Sequence, residues 1–221
     1  NEANKHLGTK IIRPWPQMSI FGTALADSVR TEIKKRAILF CDITRSNLNV
    51  YYEIGFAIGA GKRIAPVINN SFEKAQSDVF NDGFFDGIGF RLYENNLELS
   101  NILLDPPEAI LSQLYMKEIN HQQPLYILDA FRKTDFRNSI ISSVKQSGVF
   151  FRSFDPVEVP RFSIVKMISD ITASSGVIVP FLQNHVDDSK RHNLRAAFLA
   201  GLGHGLGRET LLIQKDYDPI A

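Results

Sequence analysis

The most constraining feature of this sequence is the alternation of short apolar runs, rich in β-branched residues, with longer stretches of helical length. Such alternation predicts an α/β fold with a mainly parallel sheet, because parallel strands need a crossover between them. The predicted strands are Lys10–Arg13, Ala37–Cys41, Ile64–Ile68, Gly89–Leu92, Leu125–Leu128, Val149–Phe151, Val177–Phe181 and Thr210–Ile213. The predicted helices include Leu25–Lys35 and Phe136–Gln146.

The strand–helix pattern is used twice along the chain. The matched positions are Arg13 with Arg152, Ile38 with Val177, and Gly61 with Gly207. We therefore predict two tandem Rossmann-like (flavodoxin-like) units, residues 1–120 and 121–221, joined by a polar linker around Lys117–Gln123. A chance likeness between two α/β units is the alternative. The second unit opens with a strand and a helix that the first lacks, and we expect that missing pair to lie upstream of Asn1.

Composition narrows the class of partner. Apolar residues make up 44% of the 221 residues and charged residues 22%, as in ordinary globular proteins. Lys+Arg is 25 and Asp+Glu is 24, so the charge balance predicts neither a nucleic-acid nor a membrane partner. No apolar run reaches the roughly 20 residues of a membrane span, and no signal peptide opens the chain, which predicts a cytoplasmic protein. Cys41 lies in an apolar run and is predicted to be a buried core thiol.

The segment from Asp42 to Lys62 carries the clearest functional pattern. It predicts a strand that ends at Asp42, a polar loop through Asn49, and a helix from about Val50 that stops before Gly61. Ligands in open α/β sheets bind beyond the carboxyl ends of strands, where this loop would lie. Glu53 is the only charged residue of the apolar helix, and we expect it to be buried.

Each polar residue of this segment has two interpretations. Glu53 either contacts a sugar or complements the helix dipole, although with Asn49 as the helix N-cap it lies one place past the capping-box position. Asn47 and Asn49 either bind a ligand or form turns and caps. Asp42 either binds a ligand hydroxyl or caps the loop. Tyr52 completes the predicted substrate-binding set, and the spacing of the histidines predicts no metal site.

The stretch DITRSNLNVYYEIGFAIGAGK resembles the signature shared by nucleoside 2-deoxyribosyltransferase-like and bacterial TIR-like proteins. The resemblance is strong over this stretch only. It implies cleavage or transfer of an N-glycosidic bond of a nucleoside or NAD, with Glu53 as the nucleophile on the sugar or as a contact to the ribose. It implies a small-molecule nucleotide or nucleoside partner, with NAD as substrate or ligand rather than resident cofactor, and a role in bacterial defence.

The sequence departs from this pattern at two places. The transferases carry an aspartate where this chain has Asn47, and their second acidic residue has only Asp27 as a nearby counterpart. In the second unit, the position that matches Glu53 is Leu199. Three functions stay open: an N-glycosidic enzyme, a nucleotide sensor without turnover, and an oligomerisation module. Sites in the resembled families are often shared between subunits, which implies a homo-oligomer or a pseudo-dimer within one chain.

The glycine-rich run Gly201–Gly207 looks like a phosphate-binding loop, but phosphate loops follow a strand and open a helix. This run ends a predicted helix and precedes a strand. We therefore expect it to allow close helix packing and to stop the helix.

Overall fold

The computed structural model describes residues 12–15, 25–72, 79, 84–85, 87–159 and 161–215. The helices in these ranges are α1 Leu25–Lys35, α2 Leu48–Gly59, α3 Asn96–Leu104, α4 Leu111–Tyr115, α5 Asp135–Gln146, α6 Ile164–Thr172 and α7 Ser189–Gly205. The strands are β1 Ile38–Asp42, β2 Arg63–Asn69, β3 Arg91–Tyr93, β4 Leu125–Leu128, β5 Phe151–Phe154, β6 Gly176–Phe181 and β7 Glu209–Gln214.

The strands form two separate sheets. The first has the order β1-β2-β3 and the second has the order β5-β4-β6-β7. All pairings are parallel. The predicted α/β class with two Rossmann-like, mainly parallel units is therefore confirmed.

Most predicted elements lie within two residues of the observed ones, and α1 and β4 coincide with their predictions. The strand predicted at Val149–Phe151 is misplaced, since β5 begins only at Phe151. After α5 ends, Gly148 turns the chain with a φ of 72°, and two further residues are needed to reach the edge of β4. Of the strand predicted at Lys10–Arg13, the first two residues lie outside the described ranges and the last two form no strand.

Helices α2 and α7 join the two sheets across an approximate two-fold axis. A Cβ placed on Gly55 would lie 2.1 Å from the carbonyl oxygen of Phe198, and one on Gly201 would lie 2.0 Å from that of Tyr52. Gly59 approaches Leu202 and Gly205 approaches Phe56 in the same reciprocal way. The two helix backbones thus touch where side chains are absent, as the glycine-rich run predicted.

The same two-fold symmetry shows which residues of the two halves correspond to each other. Gly61 and Gly207 end the paired helices with φ values of 70° and 66°. Strand register then places Ile38 opposite Arg63 in the first sheet and Gly176 opposite Glu209 in the second. Ile38 therefore matches Gly176, so the predicted match to Val177 is wrong by one residue. Short apolar strands have no side-chain landmark that fixes such an offset.

One large core cluster contains residues from both halves, including Tyr51, Phe56, Phe162 and Phe198. A smaller cluster lies between the second sheet and α5. Cys41 is buried, as predicted, and burial raises the pKa of its thiol above the ordinary range. None of the described helices is both long enough and apolar enough to cross a membrane.

Among the described residues, the edge of the first sheet at β1 is open. In the second sheet, β4 lies between β5 and β6 and pairs with both. Strand β1, the counterpart of β6, pairs only with β2 among the described residues. The first unit thus has no counterpart of β4 in the described ranges, in line with the prediction that it lacks its opening strand.

Candidate functional site

Glu53 lies in the second turn of α2, on the side that faces Trp15. The Glu53 side chain is half-buried rather than fully buried. Burial raises the pKa of its carboxyl above the usual range, and a hydrogen bond from the Trp15 side chain acts in the opposite direction. Of these two opposing effects on the Glu53 carboxyl, burial is the larger.

Glu53 lines a cavity of about 520 Å³ at the open edge of β1. The cavity has apolar walls from β1, α1 and the end of α3, including Val29, Ile38, Phe40 and Leu104. Its described charged lining residues are Arg13, Arg36, Arg63, Glu32 and Glu53. Ligand sites commonly have volumes of roughly 300–1,000 Å³ with apolar walls and a few placed polar groups, so this space is large enough for a nucleotide.

Glu32 forms hydrogen bonds with two of the arginines that line the cavity. Its carboxylate accepts hydrogen bonds from Arg13 at 3.1 Å and Arg36 at 2.9 Å. The Arg36 contact lowers the pKa of Glu32, which keeps that carboxylate ionised. The Nε of Arg36 is buried and has no hydrogen-bond partner among the described residues. The Arg36 side chain as a whole is 41% exposed, so the rest of its guanidinium is accessible to an anionic or carbonyl ligand.

Asp42 lies outside this cavity, at the carboxyl end of β1. Its Oδ1 accepts a hydrogen bond from the backbone N–H of Thr44 at 2.9 Å, and its Oδ2 accepts one from the Tyr93 hydroxyl at 2.7 Å. Thr44 Oγ1 in turn accepts a hydrogen bond from the backbone N–H of Asn69. Asp42 therefore ties together the ends of the three strands, which agrees with its interpretation as a loop cap.

Asn47, and not Asn49, is the N-cap of α2. The side-chain oxygen of Asn47 accepts a hydrogen bond from the backbone N–H of Asn49 at 2.8 Å and from that of Val50 at 3.4 Å. The predicted cap at Asn49 is wrong because the helix begins at Leu48. Glu53 is consequently the sixth residue of α2, beyond the first turn in which the capping box and the helix dipole act.

Tyr52 points away from Glu53, toward the second unit. Its hydroxyl is hydrogen-bonded to Nδ1 of His204 at 2.9 Å, and the guanidinium of Arg30 lies 5.7 Å from its ring centre. Burial raises the pKa of Tyr52. Tyr52 therefore belongs to the contact between α2 and α7, and the structure does not bring it together with Glu53 in one cavity.

In the described part of the second unit, no acid lies at the position that corresponds to Glu53. Leu199, the counterpart of Glu53 on α7, is fully buried in the core. Strand β4 covers the place that is open in the first unit, where Tyr126 is buried and its hydroxyl contacts the Met167 sulfur at 3.0 Å. Val29 lies nine residues before β1, as Met167 lies nine residues before β6, and Val29 lines the Glu53 cavity.

Three residues that line the Glu53 cavity were not among the predicted site residues: Trp15, Glu32 and Arg36. Trp15 served only to align the two halves, yet it is the only tryptophan of the chain and is 45% exposed. In the sequence, the position of Trp15 two residues after Arg13 is the pattern that could have indicated a binding site. The pairing of Glu32 on α1 with Arg36, which directly follows α1, could also be predicted from their spacing of four residues. The position of this pair beside Glu53 could not.

A second cavity, of about 380 Å³, lies on the other side of β2, near β3 and α3. Its polar lining includes Arg91 and Asp105, which form a salt bridge at 2.7 Å. None of the predicted site residues lines it. Within the described ranges, no three His, Cys, Asp or Glu side chains are grouped so as to hold a metal ion.

Comparison of the chain with protein-family models, curated proteins and solved structures finds no match. The Glu53 cavity must therefore be interpreted from its own geometry.

Proposed function

We propose that this protein binds a nucleotide or nucleoside in the cavity at the open edge of β1, with Glu53 directed at the ribose. The observation that carries the proposal is the grouping, in one cavity, of a carboxyl with a raised pKa, an exposed indole and the guanidinium of Arg36. Each of these groups matches one part of a nucleotide: hydroxyl, base and phosphate.

The indole of Trp15 suits a base because aromatic side chains stack on bases of any sequence. The guanidinium groups of Arg13 and Arg36 suit a phosphate because they offer paired N–H donors. Three arginines and two glutamates line the cavity, so the net charge of its lining is positive. The raised pKa of Glu53 favours its neutral form, which makes the lining more positive.

Glu53 suits a sugar in either protonation state. As a carboxylate it accepts hydrogen bonds from ribose hydroxyls, and as an acid it can donate a proton to a leaving base. Cleavage or transfer of an N-glycosidic bond is therefore the reaction that this placement allows. A second carboxylate at Asn47 is missing, and Asn47 itself caps α2, so binding has more support than turnover.

Calorimetric titration of the chain with AMP, adenosine, deoxyadenosine and NAD tests the proposal. We expect saturable binding of at least one ligand, weakened about tenfold or more in Glu53→Gln and unchanged in Glu158→Gln, whose side chain is exposed in the second unit. Chromatography of the same mixtures reports free base. If the wild type releases free base and Glu53→Gln does not, the protein is also an enzyme that cleaves the N-glycosidic bond. If none of the ligands binds, the proposal is overturned.

A second candidate is a protein-interaction function at the same edge. The cavity lies beside β1 at the position that β4 occupies beside β6 in the second sheet, and this similarity favours the second candidate. A peptide with the sequence of residues 124–130, which contains β4, distinguishes the two. Peptide binding without nucleotide binding would favour the interaction function, and nucleotide binding without peptide binding would exclude it.

A further inference from the structure

Arg63 is a charged residue of the Glu53 cavity that the proposed function does not use. It begins β2, and its backbone N–H donates a hydrogen bond to the carbonyl oxygen of Ala37 at 3.2 Å, directly beside Arg36. Both arginines line the cavity. The amino ends of β1 and β2 thus bring two arginines together at one end of the cavity, although like charges placed side by side repel each other.

The carboxylate of Glu32 is already shared at this end of the cavity. It accepts hydrogen bonds from three cationic side chains: Arg13 at 3.1 Å, Arg36 at 2.9 Å and Lys35 at 3.5 Å. Within the described ranges, the guanidinium of Arg63 forms no ion pair, and its hydrogen bond to the carbonyl oxygen of Pro107 is long, at 3.4 Å. A neutral carbonyl does not balance a positive charge. This end of the cavity therefore has an excess of positive charge.

Glu53 lies toward the other end of β1. Burial, and after it the negative charge of Glu53, raise the pKa of the Cys41 thiol, so Glu53 lies near Cys41. Arg63 instead pairs with Ile38, three residues earlier on β1. At about 3.3 Å per residue, these two levels are about 10 Å apart along the strand. The cavity therefore has its carboxyl and its excess positive charge at separate positions along β1.

We propose that Arg36 and Arg63 bind the phosphate of the nucleotide and make the site selective for nucleoside phosphates over nucleosides. This inference rests on the function proposed above and adds an orientation: the ribose lies at Glu53 and the phosphate lies at the amino end of β1. A guanidinium offers five N–H donors in a planar fork that matches phosphate oxygens. A phosphate supplies the negative charge that Arg63 lacks, whereas a nucleoside leaves that charge uncompensated.

Calorimetric titrations of the chain with AMP and with adenosine test the selectivity. We expect AMP to bind at least about tenfold more tightly than adenosine, and Arg63→Gln to bring the two dissociation constants within about threefold of each other. Arg91→Gln is the matched control, because Arg91 begins β3 as Arg63 begins β2 but lines the other cavity. It should leave the ratio unchanged. Inorganic phosphate should compete with AMP for the wild-type chain and should not compete with adenosine.

A second variant tests the orientation. Glu53→Gln should weaken AMP and adenosine by similar factors, because both carry the ribose, whereas Arg63→Gln should weaken AMP more than adenosine. In the double variant the two effects on AMP should multiply, since the side chains contact separate parts of the ligand.

The outcomes separate this inference from the proposed function. Equal affinities of the wild type for AMP and adenosine would overturn the inference and leave the proposed function standing. An Arg63→Gln variant that still binds adenosine, and is therefore folded, with an unchanged ratio would do the same. If neither AMP nor adenosine binds to the wild type, the proposed function and the inference both fail.

Discussion

The crossing of α2 and α7 is the contact that holds the two units together, and Gly55→Ala perturbs it directly. The added Cβ would lie 2.1 Å from the carbonyl oxygen of Phe198 and 2.9 Å from the backbone nitrogen of Leu202. Both are backbone atoms of a buried helix, so they cannot rotate away. The helices must separate by about 1 Å to restore ordinary contact, which opens voids in a core of native packing density.

The size of the effect follows from two opposing contributions. Overpacking of a buried site costs about 3 kcal/mol, while alanine is favoured over glycine within a helix by about 1 kcal/mol. The net loss in free energy of unfolding is about 2 kcal/mol, or about 6 °C in Tm for a chain of this size. Gly89→Ala is the matched control, because a Cβ there meets no atom within 4 Å.

Urea unfolding and calorimetry measure both effects. The symmetry also predicts that Gly201→Ala costs about as much as Gly55→Ala, and that the double variant costs less than the sum of the two, since one separation of the helices relieves both contacts. A Gly55→Ala variant as stable as wild type, or additive costs in the double variant, would refute this description of the crossing.

Three further predictions concern single side chains. The raised pKa of Glu53 means that the wild-type free energy of unfolding falls as pH rises above the ordinary value of 4.5, because the folded state retains the proton longer; urea unfolding across pH should show this fall vanish in Glu53→Gln. Burial lowers the pKa of His192 to about 4, so stability should fall by about 3 kcal/mol as pH drops from 6.5 toward 4, and His192→Gln should remove most of that slope. Asn47→Ala should cost about 1 kcal/mol in thermal unfolding and Asn49→Ala close to nothing; equal costs would contradict the assignment of the cap.

The sequence predicts the elements well because their signals are local. Helix α1 and strand β4 coincide with prediction, and the stop of α2 at a left-handed Gly61 is encoded in one residue. The start of α2 was not predicted because Asn47 and Asn49 are both good caps, and only the hydrogen bond that the Asn49 backbone N–H donates to the Asn47 side-chain oxygen distinguishes them.

The spatial grouping of the predicted site residues was harder to predict, because it depends on contacts distant in sequence. The predicted set combined Glu53 with residues that are close along the chain, namely Asp42, Asn47, Asn49 and Tyr52. Neighbouring helical residues point in different directions, so Tyr52 faces His204 while Glu53 faces Trp15. The contact between Glu53 and Trp15 joins two elements whose relative placement no local pattern specifies.

The most direct test of the central proposal uses Trp15 as its own reporter, since it is the only tryptophan and lines the cavity beside Glu53. We predict a saturable change in its fluorescence on titration with AMP or NAD at up to about 1 mM, shifted to higher concentration in Glu53→Gln. No change in the emission of the folded wild-type chain at any concentration would contradict nucleotide binding in this cavity.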